Sequence, residues 1–177
     1  MKNAALRMKD LIQHLLSISR VGTHGKDFTP VEPNLVINRT LDDISEHINK
    51  SEGEIDVQHD LPMVVADDLQ LGQLFQNLLE NGIKFIPDNR TPRIFVGAQA
   101  QGDEVVFRVE DNGIGIAEEY RKKIFNVFKR LHRKEQYEGV GVGLALCQKI
   151  LQRHGGRIWV ESEVGKGSTF YFTLKRA

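Results

Sequence analysis

Apolar positions recur along this chain with two different periods, and the switches between them mark its elements. Residues 4 to 20 place Met8, Leu11, Leu15 and Ile18 at a/d heptad spacing, with Ile12 and Leu16 widening the stripe, which predicts an amphipathic helix. A stripe that wide suits a helical bundle better than a two-stranded coil. Its face needs a partner: the rest of this chain, a second copy, or a helix elsewhere. Val21-Gly22-Thr23-His24-Gly25-Lys26 reads as a linker, and Phe28-Thr29-Pro30-Val31 as a short strand. A second amphipathic helix is expected over residues 33 to 50, carrying Leu35, Val36, Ile37, Leu41, Ile44 and Ile48. Ile55-Asp56-Val57 and Met63-Val64-Val65 read as short strands. Asp67 is placed to cap a long helix reaching about Phe85. Leu71, Leu74, Phe75, Leu78 and Gly82 form its inward face, while Asn77, Asn81 and Lys84 line a second stripe at i, i+4, i+7.

The second half alternates more tightly. Residues 87 to 92 form a turn, and residues 93 to 100 and 104 to 109 predict a hairpin joined at Gln101-Gly102-Asp103. Extended chain is expected to end at Val109, giving way to the loop Glu110-Asp111-Asn112-Gly113-Ile114-Gly115-Ile116. A helix is predicted from about Glu118, with Ile124, Phe125 and Phe128 as its apolar positions. Residues 129 to 138 are charged and aperiodic, and are expected to be mobile. Leu144, Leu146, Ile150 and Leu151 make a helix that ends at Gly155-Gly156, and strands over 157 to 161 and 168 to 174 flank Gly165-Lys166-Gly167.

Bulk composition narrows the class without naming a chemistry. The 177 residues allow one domain of ordinary size and a little more, and 40% apolar residues are enough for a core. Lys+Arg and Asp+Glu are equal at 24 each, so no charge excess steers the chain to nucleic acid or an anionic membrane. The single cysteine, Cys147, allows no internal disulfide and suits a reducing compartment. Cys147 and Trp159 both read as core residues. No apolar run approaches membrane-spanning length and no secretion signal opens the chain, so a cytoplasmic segment without membrane contact is expected. Its parent protein could still be membrane-anchored.

The polar positions carry the candidate chemistry. An aspartate at a strand end, followed by glycines that let a ligand approach the backbone, can accept a hydrogen bond from an exocyclic amine. The plainer alternative is a polar turn. Two asparagines on one helix face are costly for the helix, and metal or phosphate ligation is one reason to keep them. The alternative there is a solvated stripe with a Glu80–Lys84 pair worth about 0.3–0.5 kcal/mol. Gly139-Val140-Gly141-Val142-Gly143 opens a helix, where free N–H groups and the helix dipole favour an anion. It is not a dinucleotide fingerprint, which needs a third glycine where Leu144 stands and a preceding strand. Gly165-Lys166 is not a P-loop, because Val160 and Gly167 occupy two of its required positions.

Five stretches occur in order: Asn81-Gly82-Ile83-Lys84-Phe85, Asp111-Asn112-Gly113-Ile114-Gly115-Ile116, Ile124-Phe125-Asn126-Val127-Phe128, Gly139-Val140-Gly141-Val142-Gly143-Leu144, and Gly165-Lys166-Gly167-Ser168-Thr169-Phe170. Together they resemble the N, G1, F, G2 and G3 boxes of the catalytic and ATP-binding domain of sensor histidine kinases, within the larger GHKL ATPase group. The resemblance covers roughly residues 27 to 175. Residues 1–25 resemble the second helix of the dimerisation and phosphotransfer domain plus linker, leaving 26–177 as the catalytic domain. Arg20-Val21-Gly22-Thr23 and Gln76-Asn77-Leu78-Leu79 look most like phytochrome-type kinases.

The resemblance implies an α/β sandwich of the Bergerat type, a mixed sheet covered on one face by three helices. It implies ATP and Mg²⁺ as cofactors. Asp111 would accept from the adenine amine, with Thr169 supporting it through water. Asn81 would be the Mg²⁺ ligand, Lys84 and Arg130 would meet phosphate, and Asn77 would line the site. Gly113, Gly115, Ile116, Phe128 and Leu144 would surround the nucleotide, and Gly139, Gly141 and Gly143 would hinge a lid over residues 129 to 138. The implied partners are a dimerisation helix bearing the acceptor histidine, a second copy of the full-length protein, and the receiver domain of a response regulator. None of the six histidines (His14, His24, His47, His59, His132, His154) has the expected setting, so the acceptor is expected to lie outside these residues. Asn126 stands where the family often has an acid. Two other readings remain at this stage: a conformational ATPase of the chaperone and gyrase type, and a nucleotide-binding regulatory module. Against the first, the glutamate that activates water in those proteins is here Asn77.

Overall fold

A computed structural model of the chain describes residues 16, 19, 21–22, 25–126 and 142–177. Its frame is a five-stranded sheet in the order β2–β4–β5–β7–β6. The strands are β2 (Glu54–Val57), β4 (Arg93–Gln101), β5 (Glu104–Asp111), β6 (Ile158–Glu163) and β7 (Gly167–Lys175). β2 runs parallel to β4 and the other pairings are antiparallel, so the sheet is mixed. A separate two-stranded ribbon pairs β1 (Thr29–Val31) with β3 (Val64–Ala66).

Strand alternation gives this sheet one apolar face. Ile94 and Val96, then Val105, Phe107 and Val109, then Phe170, Phe172 and Leu174 all point to the same side and are buried. Phe107 and Phe172 lie opposite each other on β5 and β7 and stack at 4.8 Å. Phe75 meets both edge-on, at 5.9 and 5.6 Å, from the helix above. Fully burying such a side chain contributes roughly 1.5–3 kcal/mol, so this triplet is a main anchor of the helical layer.

That layer consists of α1 (Pro33–Asp43), α2 (Ser45–Ser51), α3 (Asp68–Lys84) and α4 (Gly143–Arg153). α3 lies centrally and packs against α1 on one side and α4 on the other. Leu71, Leu74, Phe75, Leu78 and Gly82 are buried, as their spacing requires. The opposite face of the sheet carries Phe95, Arg108, Trp159 and Tyr171, with the Arg108 guanidinium over Phe95 and Trp159 stacked on Tyr171. The expected sandwich, a mixed sheet with three main helices on one face, is therefore the observed fold.

Several boundaries differ from expectation. The helix over 33 to 50 is two helices, broken at Ile44. Asp42 and Asp43 put negative charge at the C-terminal end of α1, against its dipole, and no basic residue offsets them in the last turn. α2 restarts with Glu46 in its first turn and Lys50 in its last, the favourable arrangement. Leu35 is 56% exposed and not part of the core stripe. Val21 and Gly22 are helical rather than linker, because Val21 is buried and its carbonyl accepts from Gln70 Nε2 at 3.0 Å. In place of a helix from Glu118 there are two short 3₁₀ turns, Glu118–Tyr120 and Lys123–Phe125, which suffice to bury Ile124 and Phe125. Residues 1–15 and the mobile charged stretch expected over 129 to 138 lie outside the described residues.

The base of α3 and the end of α4 are joined by a buried network. Asp67 is 1% exposed; its Oδ1 accepts from Leu69 N and Gln70 N and its Oδ2 accepts from Lys26 N and Arg153 Nη1. The Asp67 amide donates to His154 Nε2 at 3.0 Å, while His154 Nδ1 faces the Ile150 carbonyl at 2.8 Å. These contacts lock the ends of α3 and α4 that point away from the glycine turns.

Candidate nucleotide site

The other ends of α3 and α4 meet the end of β5. β5 continues to Asp111 rather than stopping at Val109, since the ladder persists on both sides: Asp111 pairs with Ile94 on β4 and with Ser168 on β7. Alternation from Val105, Phe107 and Val109 puts Asp111 on the helix-covered face, where the core opens. Its Oδ1 accepts from Gly113 N at 2.9 Å and from Ser168 N at 3.2 Å. Both amides converge on one oxygen, which leaves Oδ2 to meet a further donor. Burial pushes the carboxyl up to about 6, outweighing the lowering by the two amides, and Glu110 adds to the rise. A carboxylate kept at this cost is suited to a ligand amine that shares its site.

The turns on either side are tight. Gly115 has φ +72°, and a Cβ there would collide with the Glu163 carbonyl, so the turn admits glycine only. Ile116 N donates to Ser162 Oγ at 2.8 Å, and Gly165 N donates to the Ile114 carbonyl at 2.8 Å. The Asp111-to-Ile116 loop and the turn before β7 thus close on each other.

Asn77, Asn81 and Lys84 occupy one stripe of α3, all partly exposed. Asn77 Nδ2 donates to Gln73 O at 2.7 Å. Its Oδ1 lies against the first residue of α4, where a Cβ on Gly143 would approach to 2.5 Å. Asn77 therefore seats the start of α4 and has no carboxylate with which to activate water. Val142 provides no side-chain cap for α4, so the N–H groups of its first turn keep their affinity for an anion. Leu144, the second residue of α4, packs against the core. Asn81 is one turn beyond Asn77, and among the described residues no hydrogen bond engages its side-chain amide. Glu80 accepts from Gln76 Nε2 at 3.0 Å instead of pairing with Lys84, whose Nζ lies 4.8 Å from the Phe85 ring centroid.

One sequence-derived position needs correction. Phe170, Phe172 and Leu174 face the core, so Ser168 shares the Asp111 face and Thr169 points to the opposite side, between Glu110 and Glu161. The hydroxyl beside Asp111 is that of Ser168, 2.9 Å from Ser162 Oγ. The same alternation was readable in the sequence once Phe170 was assigned to the core. Ser162 and Arg90 also shape the site and belong to no pattern the sequence displayed, while Asn112 was named there only as a member of its stretch. Phe128, Arg130, Gly139 and Gly141 lie outside the described residues.

Residues 66–177 match the family described as histidine kinase-, DNA gyrase B-, and HSP90-like ATPase, and the chain belongs to that family. Within it, the chain is a catalytic and ATP-binding domain of the sensor histidine kinase type. It is 43% identical over 167 residues to the phytochrome-like protein Cph1 of Synechocystis sp. and 44% identical over 168 residues to cyanobacterial phytochrome A of Nostoc sp., covering 94% of this chain in both. The chain spans 22% of the length of those two relatives. Among solved structures, full-length ShkA in complex with AMPPNP superposes with a TM-score of 0.78 at 27% identity, over 94% of this chain and 36% of that one. The catalytic domain of the histidine kinase ThkA superposes with a TM-score of 0.72 at 29% identity, over 85% of this chain and 97% of that one.

Proposed function

We propose that this chain binds Mg²⁺-ATP between α3, α4 and the end of β5, and presents the γ-phosphate to a histidine of a dimerisation helix in the same signalling protein. The observation that carries this reading is the half-buried Asp111 carboxylate, held by amides from both glycine turns with one oxygen left for a donor. The exocyclic amine of adenine is such a donor. In this reading residues 1–25 belong to the dimerisation domain and 26–177 to the catalytic one. The fragment's working form is a cytoplasmic part of a homodimer whose phosphohistidine serves a response-regulator receiver domain.

The residues present fit the nucleotide and its cation. Asn81 offers a neutral amide oxygen, and among the described residues no group of three His, Cys, Asp or Glu side chains could form a cage. Asn81 would hold Mg²⁺ together with phosphate oxygens and water, the usual arrangement for this ion. The bound cation would neutralise charge on the transferring phosphoryl group. Lys84 and Arg130 counter the remaining phosphate charge, and the α4 N-terminus with Gly139, Gly141 and Gly143 supplies backbone N–H groups. Gly113, Gly115, Ile116, Phe128 and Leu144 surround the base and sugar. Ser168, rather than Thr169, supplies the hydroxyl next to Asp111. What remains for the protein is alignment of donor phosphate and acceptor imidazole, which is most of phosphoryl-transfer catalysis. Calorimetry with ATP and Mg²⁺ tests the binding step: one site per chain is expected, and no heat at millimolar nucleotide would overturn it.

A further inference from the structure

Arg90 lies in the turn between α3 and β4, outside all five glycine- and asparagine-rich stretches. Its guanidinium joins the loop after β5 to the turn before β7 through their carbonyls. Nη1 donates to the Asn112 carbonyl at 2.6 Å and to the Gly113 carbonyl at 3.4 Å. Nη2 donates to the Gly165 carbonyl at 3.1 Å. These partners are 22, 23 and 75 residues away in sequence. Asn112 and Gly113 belong to the loop that supplies Gly113 N to Asp111 Oδ1, and Gly165 to the turn that leads into β7, whose Ser168 N is the other amide on that oxygen.

We propose that Arg90 is a positioning residue for base recognition: by gripping both turns through their carbonyls, it fixes the two amides that aim the Asp111 carboxylate. The turn that carries Arg90 does not depend on this side chain, because the Arg90 amide already donates to the Pro87 carbonyl at 3.0 Å. Asn112 strengthens the same junction by accepting from Arg93 N at 2.8 Å and donating to the Thr91 carbonyl at 2.9 Å. Arginine suits this role because its planar fork spreads fixed donors towards carbonyls on two turns at once, whereas the three donors of a lysine ammonium diverge from a single atom on a flexible stem. Arg90 is exposed, so its removal opens no cavity and leaves no buried charge. The inference rests on the ATP reading above and adds that selectivity for the base depends on a residue that never touches it.

The test uses the 177-residue chain and measures ATP and GTP affinity with Mg²⁺, by calorimetry and by displacement of a fluorescent nucleotide. Guanine presents an acceptor where adenine presents its amine, so the parent should prefer ATP. Arg90→Ala should weaken ATP by about fivefold to tenfold, the loss expected from one or two neutral hydrogen bonds. GTP affinity should stay within about twofold, because guanine docked in the adenine pose turns its O6 acceptor, not a donor, to that carboxylate. Arg90→Lys should fall between parent and Arg90→Ala. In an Asp111→Asn background, Arg90→Ala should change ATP affinity by less than about twofold, since the two residues act as one unit. The proposal is overturned if ATP affinity is unchanged in Arg90→Ala, if ATP and GTP weaken together, or if the effect persists in the Asp111→Asn background. A parent that binds neither nucleotide would refute the nucleotide reading itself.

Discussion

Replacing Asp111 by Asn should stabilise the folded chain near neutral pH while weakening its hold on ATP. The folded carboxyl titrates at about 6 against an ordinary value of 3.8. A group with a raised folded value binds its proton more tightly when folded, so the folded state loses stability as pH rises from 3.8 towards 6. The size of that loss is on the order of 3 kcal/mol, at 1.36 kcal/mol per unit. Asparagine resembles the protonated acid in shape and charge, and it can still accept from Gly113 and Ser168. The stability difference between variant and parent should therefore grow by roughly 2–3 kcal/mol in the variant's favour between pH 4 and pH 7. His154 titrates with the opposite sign: burial lowers its pKa, so stability falls as pH drops below its ordinary value of 6.5. Because both proteins keep His154, its contribution cancels in the difference. Urea unfolding across this range, with each variant's slope fitted separately, measures the curve. A flat difference, or one that shrinks with rising pH, would refute the argument that burial dominates at Asp111. The same variant should bind ATP about tenfold to a hundredfold more weakly, since a charged acceptor becomes a neutral amide. Unchanged affinity would remove Asp111 from the base site.

Three further outcomes are expected. Asn81→Ala should abolish Mg²⁺-dependent phosphotransfer and leave thermal unfolding almost unmoved, because the side chain sits on the polar stripe of α3; transfer at the parent rate would exclude it as a metal ligand. The chain alone should not become labelled by radioactive ATP, whereas a separate protein carrying the acceptor helix should be labelled in proportion to its concentration; acid-labile label on this chain would make one of its own histidines an acceptor, with His14 first in line. Arg153→Ala should destabilise the fold by about 2–4 kcal/mol in urea, because it leaves the Asp67 carboxylate buried with its strongest partner gone; a loss below about 0.5 kcal/mol would mean that the amides of Lys26, Leu69 and Gln70 suffice.

The elements of the fold were legible where one period dominates. α3 was readable because Leu71, Leu74, Phe75 and Leu78 recur at helical spacing behind a capping aspartate. The β4–β5 hairpin was readable because apolar residues alternate around Gly102. The site stretches were legible as a set, because five in order resemble the boxes of sensor histidine kinases, whereas each one by itself left a plainer reading open. That Ser168 rather than Thr169 faces inward follows from the alternation of Phe170, Phe172 and Leu174, but that it faces Asp111 is decided only by the pairing of β7 with β5. The apolar stripe did not show the break at Ile44 either, because the stripe continues through it. The raised pKa of Asp111 and the grip of Arg90 on Asn112, Gly113 and Gly165 belong wholly to the tertiary structure. Desolvation and multi-turn hydrogen bonds arise only when segments as far apart in sequence as residues 90 and 165 are brought within 3.1 Å, and no local window of sequence contains them.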